Sequence, residues 1–187
     1  MSFYDKIENV KTYMQMCEGY DPTELITLLK TYLEKGSTLL ELGMGPGNDL
    51  EVLKNDFTVT GSDLTEHFLT LYKEKSPNAD IMRLDAISLE TDRRFDCIYS
   101  NKVLMHLTKD DLRKSIINQK NILNANGLIC HTFWKGTSQE YMEGTLFQNY
   151  LEEDLLTLFH QEFELLYIES YKELADDDSI VLIMKAK

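Results

Sequence analysis

The chain is expected to fold as α/β: a seven-stranded, mostly parallel sheet with helices on both faces and an antiparallel last strand. Three observations lead there. From residue 38 onward, short strand-like runs alternate with helix-like ones, and that alternation produces βαβ crossovers and parallel pairing. Between the last two strand-like runs stand only the seven residues 172–178, too few for a parallel crossover, so this pair is an antiparallel hairpin. The length of 187 residues, with 43% hydrophobic and 27% charged side chains, suits a single domain, 1–187, with a substantial core.

The elements follow in order. Residues 3–17 are weakly helical. Asp21-Pro22-Thr23-Glu24 then offers an N-cap, a proline at the first helical position and an acid two residues on. Leu25, Leu28, Leu29, Tyr32 and Leu33 continue at helical spacing until Gly36 ends the helix. TLLELG (38–43) is a strand and 48–54 a short helix; FTVTGSD (57–63) is a strand and 66–75 a helix. DIMRLD (80–85) and FDCIYSN (95–101) are strands, and Thr108 caps a helix running to about Leu123. Asn126-Gly127 turns the chain into the strand GLICHTFW (127–134). Residues 151–160 are helical, and FELLYIESY and SIVLIMKAK are the closing strands, joined through the acidic turn Asp176-Asp177-Asp178.

Composition excludes several partners. Thirty-two acids against nineteen bases leave a formal charge of −13, a field that repels nucleic-acid backbones and anionic membrane surfaces. No window approaches the ~20 apolar residues of a membrane span, and MSFYDKIENV has no apolar stretch of signal-peptide length. Cys17, Cys97 and Cys130 are far apart, odd in number and without metal-ligand spacing. They read as reduced thiols, so the expected setting is cytoplasmic, with no metal.

Ligands of open α/β sheets bind beyond the C-terminal strand ends. The first strand delivers Gly43-Met44-Gly45-Pro46-Gly47, the second Asp63, the third Asp85-Ala86 and the fourth Ser100-Asn101. The glycines let a ligand approach the backbone as the chain turns into a helix. An acid at the end of the second strand grips a ribose diol. At Asp85-Ala86 an acid and an amide match the donor and acceptor of an adenine edge. The constellation reads as an adenosine site, and two ligand classes remain. A dinucleotide wants Gly-x-Gly-x-x-Gly, but here the third glycine comes early and Asn48 stands in its place. Pyrophosphate is also poorly matched to a mouth holding Glu41, Asp49, Asp63 and Asp85. S-adenosylmethionine, with its sulfonium and ammonium, suits that mouth better.

LLELGMGPG, GSDLT, RLDA, FDCIYSNKVLMHL and LNANGLI, across residues 36–135, resemble in order and spacing the successive motifs of class I S-adenosylmethionine-dependent methyltransferases of the small-molecule type, which are Rossmann-like. The resemblance implies that 36–135 is a cofactor-binding core and that S-adenosylmethionine is the cofactor. Glu41 would organise the glycine loop, accepting from its amides or, through water, facing the methionine amino group. Gly43 and Gly45 would line the methionine and ribose, Asp63 hold the ribose hydroxyls, and Leu64 pack on adenine. Asp85 and Ala86 would read the adenine edge, and Ser100 and Asn101 lie against the methionine moiety. LNANG replaces the Lys-Pro-Gly-Gly turn common in the family but keeps its final glycine.

Outside the motifs, residues 1–20 carry Tyr4, Tyr13, Met14, Met16 and Tyr20, either a packed helix or the lid such enzymes use; Tyr13 is the lid candidate. His106, just beyond the fourth strand, is either a structural histidine or a general base. His131, inside a strand, reads as packed. Residues 137–150 show no core periodicity and are either a plain connection or the roof of an acceptor pocket. The expected activity is methyl transfer to a small-molecule acceptor, by a monomer or homodimer. The rivals are a non-catalytic module that binds the same cofactor and an NAD-dependent oxidoreductase, for which no Tyr-x-x-x-Lys pair follows the fourth strand.

Overall fold

The computed structural model describes residues 3–187; positions 1 and 2 of the expected lid lie outside them. Among the described residues, seven strands form one sheet in the order β3-β2-β1-β4-β5-β9-β8. They are β1 (Thr38–Leu42), β2 (Thr58–Asp63), β3 (Ile81–Arg83), β4 (Phe95–Asn101), β5 (Leu123–Trp134), β8 (Phe163–Tyr171) and β9 (Ser179–Ala186). The pairs among β1 to β5 are parallel, while β9 runs antiparallel to both β5 and β8. The short 172–178 connection therefore acts as expected. Its acidic turn is held by Asp178, whose carboxylate accepts from the amides of Glu173 (2.8 Å), Leu174 (2.9 Å) and Ala175 (2.8 Å). Those bonds, against burial, hold its pKa at about 2.

Strand alternation divides the core between two faces. Leu40, Ile98, Ile129, Phe133 and Leu182 point to one, where α5 (Lys109–Ile122) and α6 (Glu152–Phe159) cover them with Leu112, Ile116, Leu155 and Phe159. Leu39, Cys97, Tyr99, Cys130 and Ile183 point to the other, against Ile26 and Leu29 of α2 (Thr23–Leu29) and Leu53 of α3 (Asn48–Leu53). Each such fully buried aliphatic side chain contributes about 1.5–3 kcal/mol. Both cysteines are buried, as their apolar setting suggested. A smaller cluster of Met44, Leu50, Leu69 and Tyr72 seats α4 (Glu66–Lys75) beside the glycine loop.

Four local expectations change. α2 ends at Leu29, short of Gly36, and Pro22 rather than Asp21 stands at its N-cap. β5 begins at Leu123, not Gly127: Phe95 pairs with Leu123 and Cys97 already with Leu128. The surplus residues form a bulge in which Asn126 takes φ 63°, a left-handed conformation asparagine tolerates. Only Ile81–Arg83 pair in the third strand, because Leu84 and Asp85 leave the sheet for a turn closed by Leu89 N to Asp85 O at 2.9 Å. Finally, 137–150 contains a hairpin, β6 (Gln139–Met142) with β7 (Thr145–Gln148), closed by Glu143 and Gly144 at φ 48° and 81°. Two left-handed residues make the primed turn that suits strand twist. Glu-Gly is a weak signal for it, and QEYM is exposed throughout, so no alternation betrayed the strand.

Candidate active site

At the C-terminal edge, β1 leaves the sheet at Leu42 and the chain folds back through Gly43–Gly47 into α3. Two of these glycines are required by space as well as by φ. A Cβ on Gly43 (φ 65°) would lie 2.6 Å from both Val103 methyls, and one on Gly47 (φ 87°) would lie 2.4 Å from the Tyr72 ring. Met44 N donates to Ser62 O at 2.8 Å and Gly47 N to Met44 O at 2.8 Å, tying the loop to β2 and closing its turn.

The acid bracing the loop is Asp63, not Glu41. Asp63 Oδ2 accepts from Gly45 N at 3.0 Å, and Oδ1 from Thr65 N at 2.8 Å. The Thr65 side chain and the Leu64 amide also hydrogen-bond this carboxylate at the β2 end. Glu41, 3% exposed, makes no bond to the loop amides, and its Oε2 is buried without a partner among the described residues. A buried polar group left unpaired costs about 1–3 kcal/mol, so this oxygen calls for a partner that the described residues do not supply. Burial first, then the charges of Asp49 and Asp63, raises the Glu41 pKa well above the usual carboxylate value. Burial also raises Asp49 and Asp63, against the hydrogen bonds each accepts. Three buried acids and one unpartnered oxygen fit a ligand that brings positive charge, and they fit a pyrophosphate badly.

Asp49, in the sequence one more acid of the mouth, is the centre of a hydrogen-bond cluster. Tyr99 donates to its Oδ2 at 2.5 Å and Asn101 Nδ2 at 3.0 Å. Asn101 also donates to Tyr20 Oη at 2.7 Å and accepts from Thr132 Oγ1 at 2.5 Å. Tyr20 and Asn48, whose Nδ2 donates to Cys17 O at 2.9 Å, bind the N-terminal segment to the glycine-loop side. There α1 (Ile7–Met16) places Tyr13 against Tyr4 and Phe68, with ring centroids 5.4 and 5.9 Å apart. Tyr13 Cε1 stands 3.8 Å from where a Cβ on Gly45 would lie. Burial first, then nearby Cys17 and Tyr4, raises its phenol pKa, so the hydroxyl stays protonated.

Ser100 requires a correction. Its neighbours Tyr99 and Asn101 face Asp49, so strand parity turns Ser100 to the opposite side, where it is fully buried and bonds His131 Nδ1 at 2.8 Å. Its side chain does not meet the glycine loop. Asp85 closes a turn, Oδ1 accepting from Ile87 N at 2.8 Å, while the Ala86 carbonyl accepts from Ser115 Oγ at 2.6 Å. Leu64, 55% exposed, flanks Asp63 at the β2 end.

On the far side, His106 ends a 3₁₀ turn, Leu104–His106. Its Nδ1 lies 2.7 Å from Leu146 O in the hairpin, and its ring meets Phe147 edge-on at 4.8 Å. A carbonyl only accepts, so Nδ1 carries the proton and Nε2 keeps its lone pair. Burial lowers its pKa against that bond, which keeps the ring neutral. Next to Asn101, Lys102 adopts φ 56°, an uncommon conformation that concentrates at functional sites. Its Nζ bonds Tyr171 Oη (2.9 Å) and Glu173 (3.0 Å) and lies 4.5 Å from the Trp134 ring centroid. Neither Lys102 nor Thr132 carried a sequence signal.

Residues 39–127 match a family model described as "Methyltransferase domain". Over 166 residues the chain is 25% identical to an uncharacterized methyltransferase of Alkaliphilus oremlandii (strain OhILAs), covering 88% of this chain and 76% of that protein. The fold is similar to that of the N-methyltransferase NodS from Bradyrhizobium japonicum WM9, solved with S-adenosyl-L-homocysteine: TM-score 0.71, 18% identity, 88% of this chain and 84% of that one. It is also similar to the 1,6-didemethyltoxoflavin-N1-methyltransferase of Burkholderia thailandensis, solved with 1,6-didemethyltoxoflavin and S-adenosylhomocysteine (TM-score 0.73, 17% identity, 86% and 76% covered). The amino pentose methyltransferase CalS10 from Micromonospora echinaspora gives a TM-score of 0.74 at 15% identity, with 95% and 97% covered.

Proposed function

We propose that this chain is a class I S-adenosylmethionine-dependent methyltransferase that transfers the methyl group to a small-molecule acceptor. The observation that carries the reading is the buried, unpartnered Glu41 carboxylate oxygen among Asp49 and Asp63 beneath the glycine loop, a polarity suited to S-adenosylmethionine and opposed to a dinucleotide. That cofactor supplies a methyl carbon already activated by its sulfonium, ready for in-line displacement. The chain's residues bind and orient: Glu41 faces the amino group, Gly43 and Gly45 admit the ligand to the backbone, and Asp63 holds the ribose hydroxyls. Leu64 lies on the adenine, Asp85 and Ala86 read its edge, and Asn101 with the backbone of Ser100 borders the methionine end. Segment 1–20 is the lid, with Tyr13 over Gly45, and 137–150 is the acceptor-side wall. Holding acceptor and methyl carbon in line near ~3 Å is the main catalytic contribution. His106 Nε2, neutral and unprotonated, takes the proton a protic acceptor gives up.

The net charge of −13 directs the acceptor away from nucleic acid. Buried free thiols at Cys97 and Cys130 support a reducing, cytoplasmic setting; none of the described helices is long and apolar enough to cross a membrane. The test is transfer of labelled methyl from S-adenosylmethionine into a fractionated metabolite extract. Label is expected in a small-molecule fraction, and His106→Phe is expected to lower kcat about 100-fold while S-adenosylhomocysteine still binds. Binding without transfer to any fraction would make the protein a binding module.

A further inference from the structure

A chain of buried hydrogen bonds runs behind the site, from the β4 end through β5 and α5 to the loop after β3. Ser100 Oγ meets His131 Nδ1 at 2.8 Å, and His131 Nε2 meets Gln119 Oε1 at 2.8 Å. Gln119 Nε2 donates to Ser115 Oγ at 3.0 Å, and Ser115 donates to Ala86 O at 2.6 Å. Ser100, Ser115, Gln119 and His131 are all fully buried. The last link fixes the direction of every other. A carbonyl only accepts, so the Ser115 proton points to Ala86 and its oxygen receives the Gln119 amide. Gln119 therefore turns its oxygen to His131, Nε2 carries the imidazole proton, and Nδ1 is left to accept from Ser100. These four bonds form a one-way series that ends on the loop assigned to the adenine edge. One residue along that loop, Asn118 Nδ2 donates to Ile87 O at 2.9 Å, so α5 grips the segment twice.

We propose that this series is a positioning relay for base recognition: Ser115, held by Gln119 and His131, fixes the Ala86 carbonyl, and with it the course of the backbone at Ala86, so that the loop discriminates adenine from other purines. This rests on the S-adenosylmethionine reading of the site. With the Ala86 carbonyl already committed and Asp85 Oδ1 spent on Ile87 N, the loop offers a ligand the Ala86 N–H and the other Asp85 oxygen. Adenine matches both, its N6 amino group donating to the carboxylate and its N1 accepting from the amide. Hypoxanthine reverses both polarities. The four side chains do not touch the ligand; they hold the 86–87 peptide plane, which carries the Ala86 carbonyl and adjoins, at the Ala86 Cα, the 85–86 plane that carries the Ala86 N–H.

The experiment compares S-adenosylhomocysteine with S-inosylhomocysteine by titration calorimetry on the wild type, Ser115→Ala and Gln119→Met. Ser115→Ala removes the final donor inside a helix where alanine is well tolerated. Gln119→Met breaks the middle link and leaves the Ser115 hydroxyl in place. The wild type is expected to prefer the adenosyl compound. Ser115→Ala is expected to lose about fivefold of that preference, the worth of one hydrogen bond of about 1 kcal/mol, and Gln119→Met to lose less. Equal loss of affinity for both compounds would mark a structural role and overturn the relay, as would an unchanged preference in both variants. A wild type that binds both compounds alike would overturn the relay by removing adenine discrimination from the loop. Failure of the wild type to bind S-adenosylhomocysteine at all would instead overturn the functional reading and take the relay with it.

Discussion

Substituting Glu41 by glutamine should move stability and binding in opposite directions. Without ligand, the glutamate holds a buried oxygen with no partner beside Asp49 and Asp63, and such a group costs about 1–3 kcal/mol. Glu41→Gln keeps the size, removes the charge, and offers an amide donor to neighbouring acids. Gain of 1 kcal/mol raises Tm by about 2–4 °C in a chain of this length, so the free variant should melt several degrees higher at pH 8. The sign with pH follows from the raised native pKa. The native glutamate takes up its proton at higher pH than the unfolded one, so the wild type loses stability as pH rises from the ordinary carboxylate value through the raised one. The advantage of Glu41→Gln should therefore vanish near pH 4 and grow towards neutrality. Binding should suffer, because a charge-assisted hydrogen bond to the ligand's amino group is worth about 1.5–3 kcal/mol, or roughly 10- to 100-fold in Kd. Thermal melting across pH and calorimetry with S-adenosylhomocysteine measure both. A destabilised variant with unchanged affinity would show that Glu41 is an internal brace, and the argument from its unpartnered oxygen would fall.

Two further outcomes test the frame around the site. Gly47→Ala must place a Cβ 2.4 Å from the Tyr72 ring at φ 87°. Left-handed backbone costs about 1–2 kcal/mol and overpacking about 1–3 kcal/mol, so a Tm lowered by more than about 5 °C is expected; an unchanged Tm would mean that the ring yields freely. For His131, burial lowers the pKa to about 3, whereas the unfolded chain takes up the proton near 6.5. Stability is thus lost as pH falls from 7 towards 3, at up to about 1.4 kcal/mol per pH unit. His131→Asn should flatten that part of the stability profile in urea titrations at pH 7.5 and 5, and an identical slope in the two proteins would contradict a neutral, buried ring.

Much of the fold was legible because it rests on spacing. The strand–helix alternation, and seven residues where a crossover needs a dozen or more, dictate a parallel sheet with one reversed strand. The loop glycines and Asp63 were legible because few residues tolerate their conformations or serve their position. Side-chain direction was harder. Tyr99 and Asn101 face Asp49 while Ser100 turns into the core; strand parity carries that information, but two adjacent polar residues at a strand end disguise it. Asp49 passed for another acid of the mouth because its significance lies in Tyr99 and Asn101, fifty and fifty-two residues away in sequence. The Lys102, Trp134, Tyr171 and Glu173 group joins three separate segments and has no local pattern. The 139–148 hairpin escaped because its turn is Glu-Gly and its first strand is exposed on both faces.

The central claim is that the acid-lined glycine loop binds an S-adenosyl ligand and not a dinucleotide. Isothermal titration of the purified chain with S-adenosylhomocysteine and, separately, with NAD tests it directly, using Asp63→Asn as the control at the site. Saturable, one-site binding of S-adenosylhomocysteine, weakened about tenfold or more by Asp63→Asn through the altered ribose contact, with no heat from NAD, is the predicted result. Saturable binding of NAD with none of S-adenosylhomocysteine would contradict it.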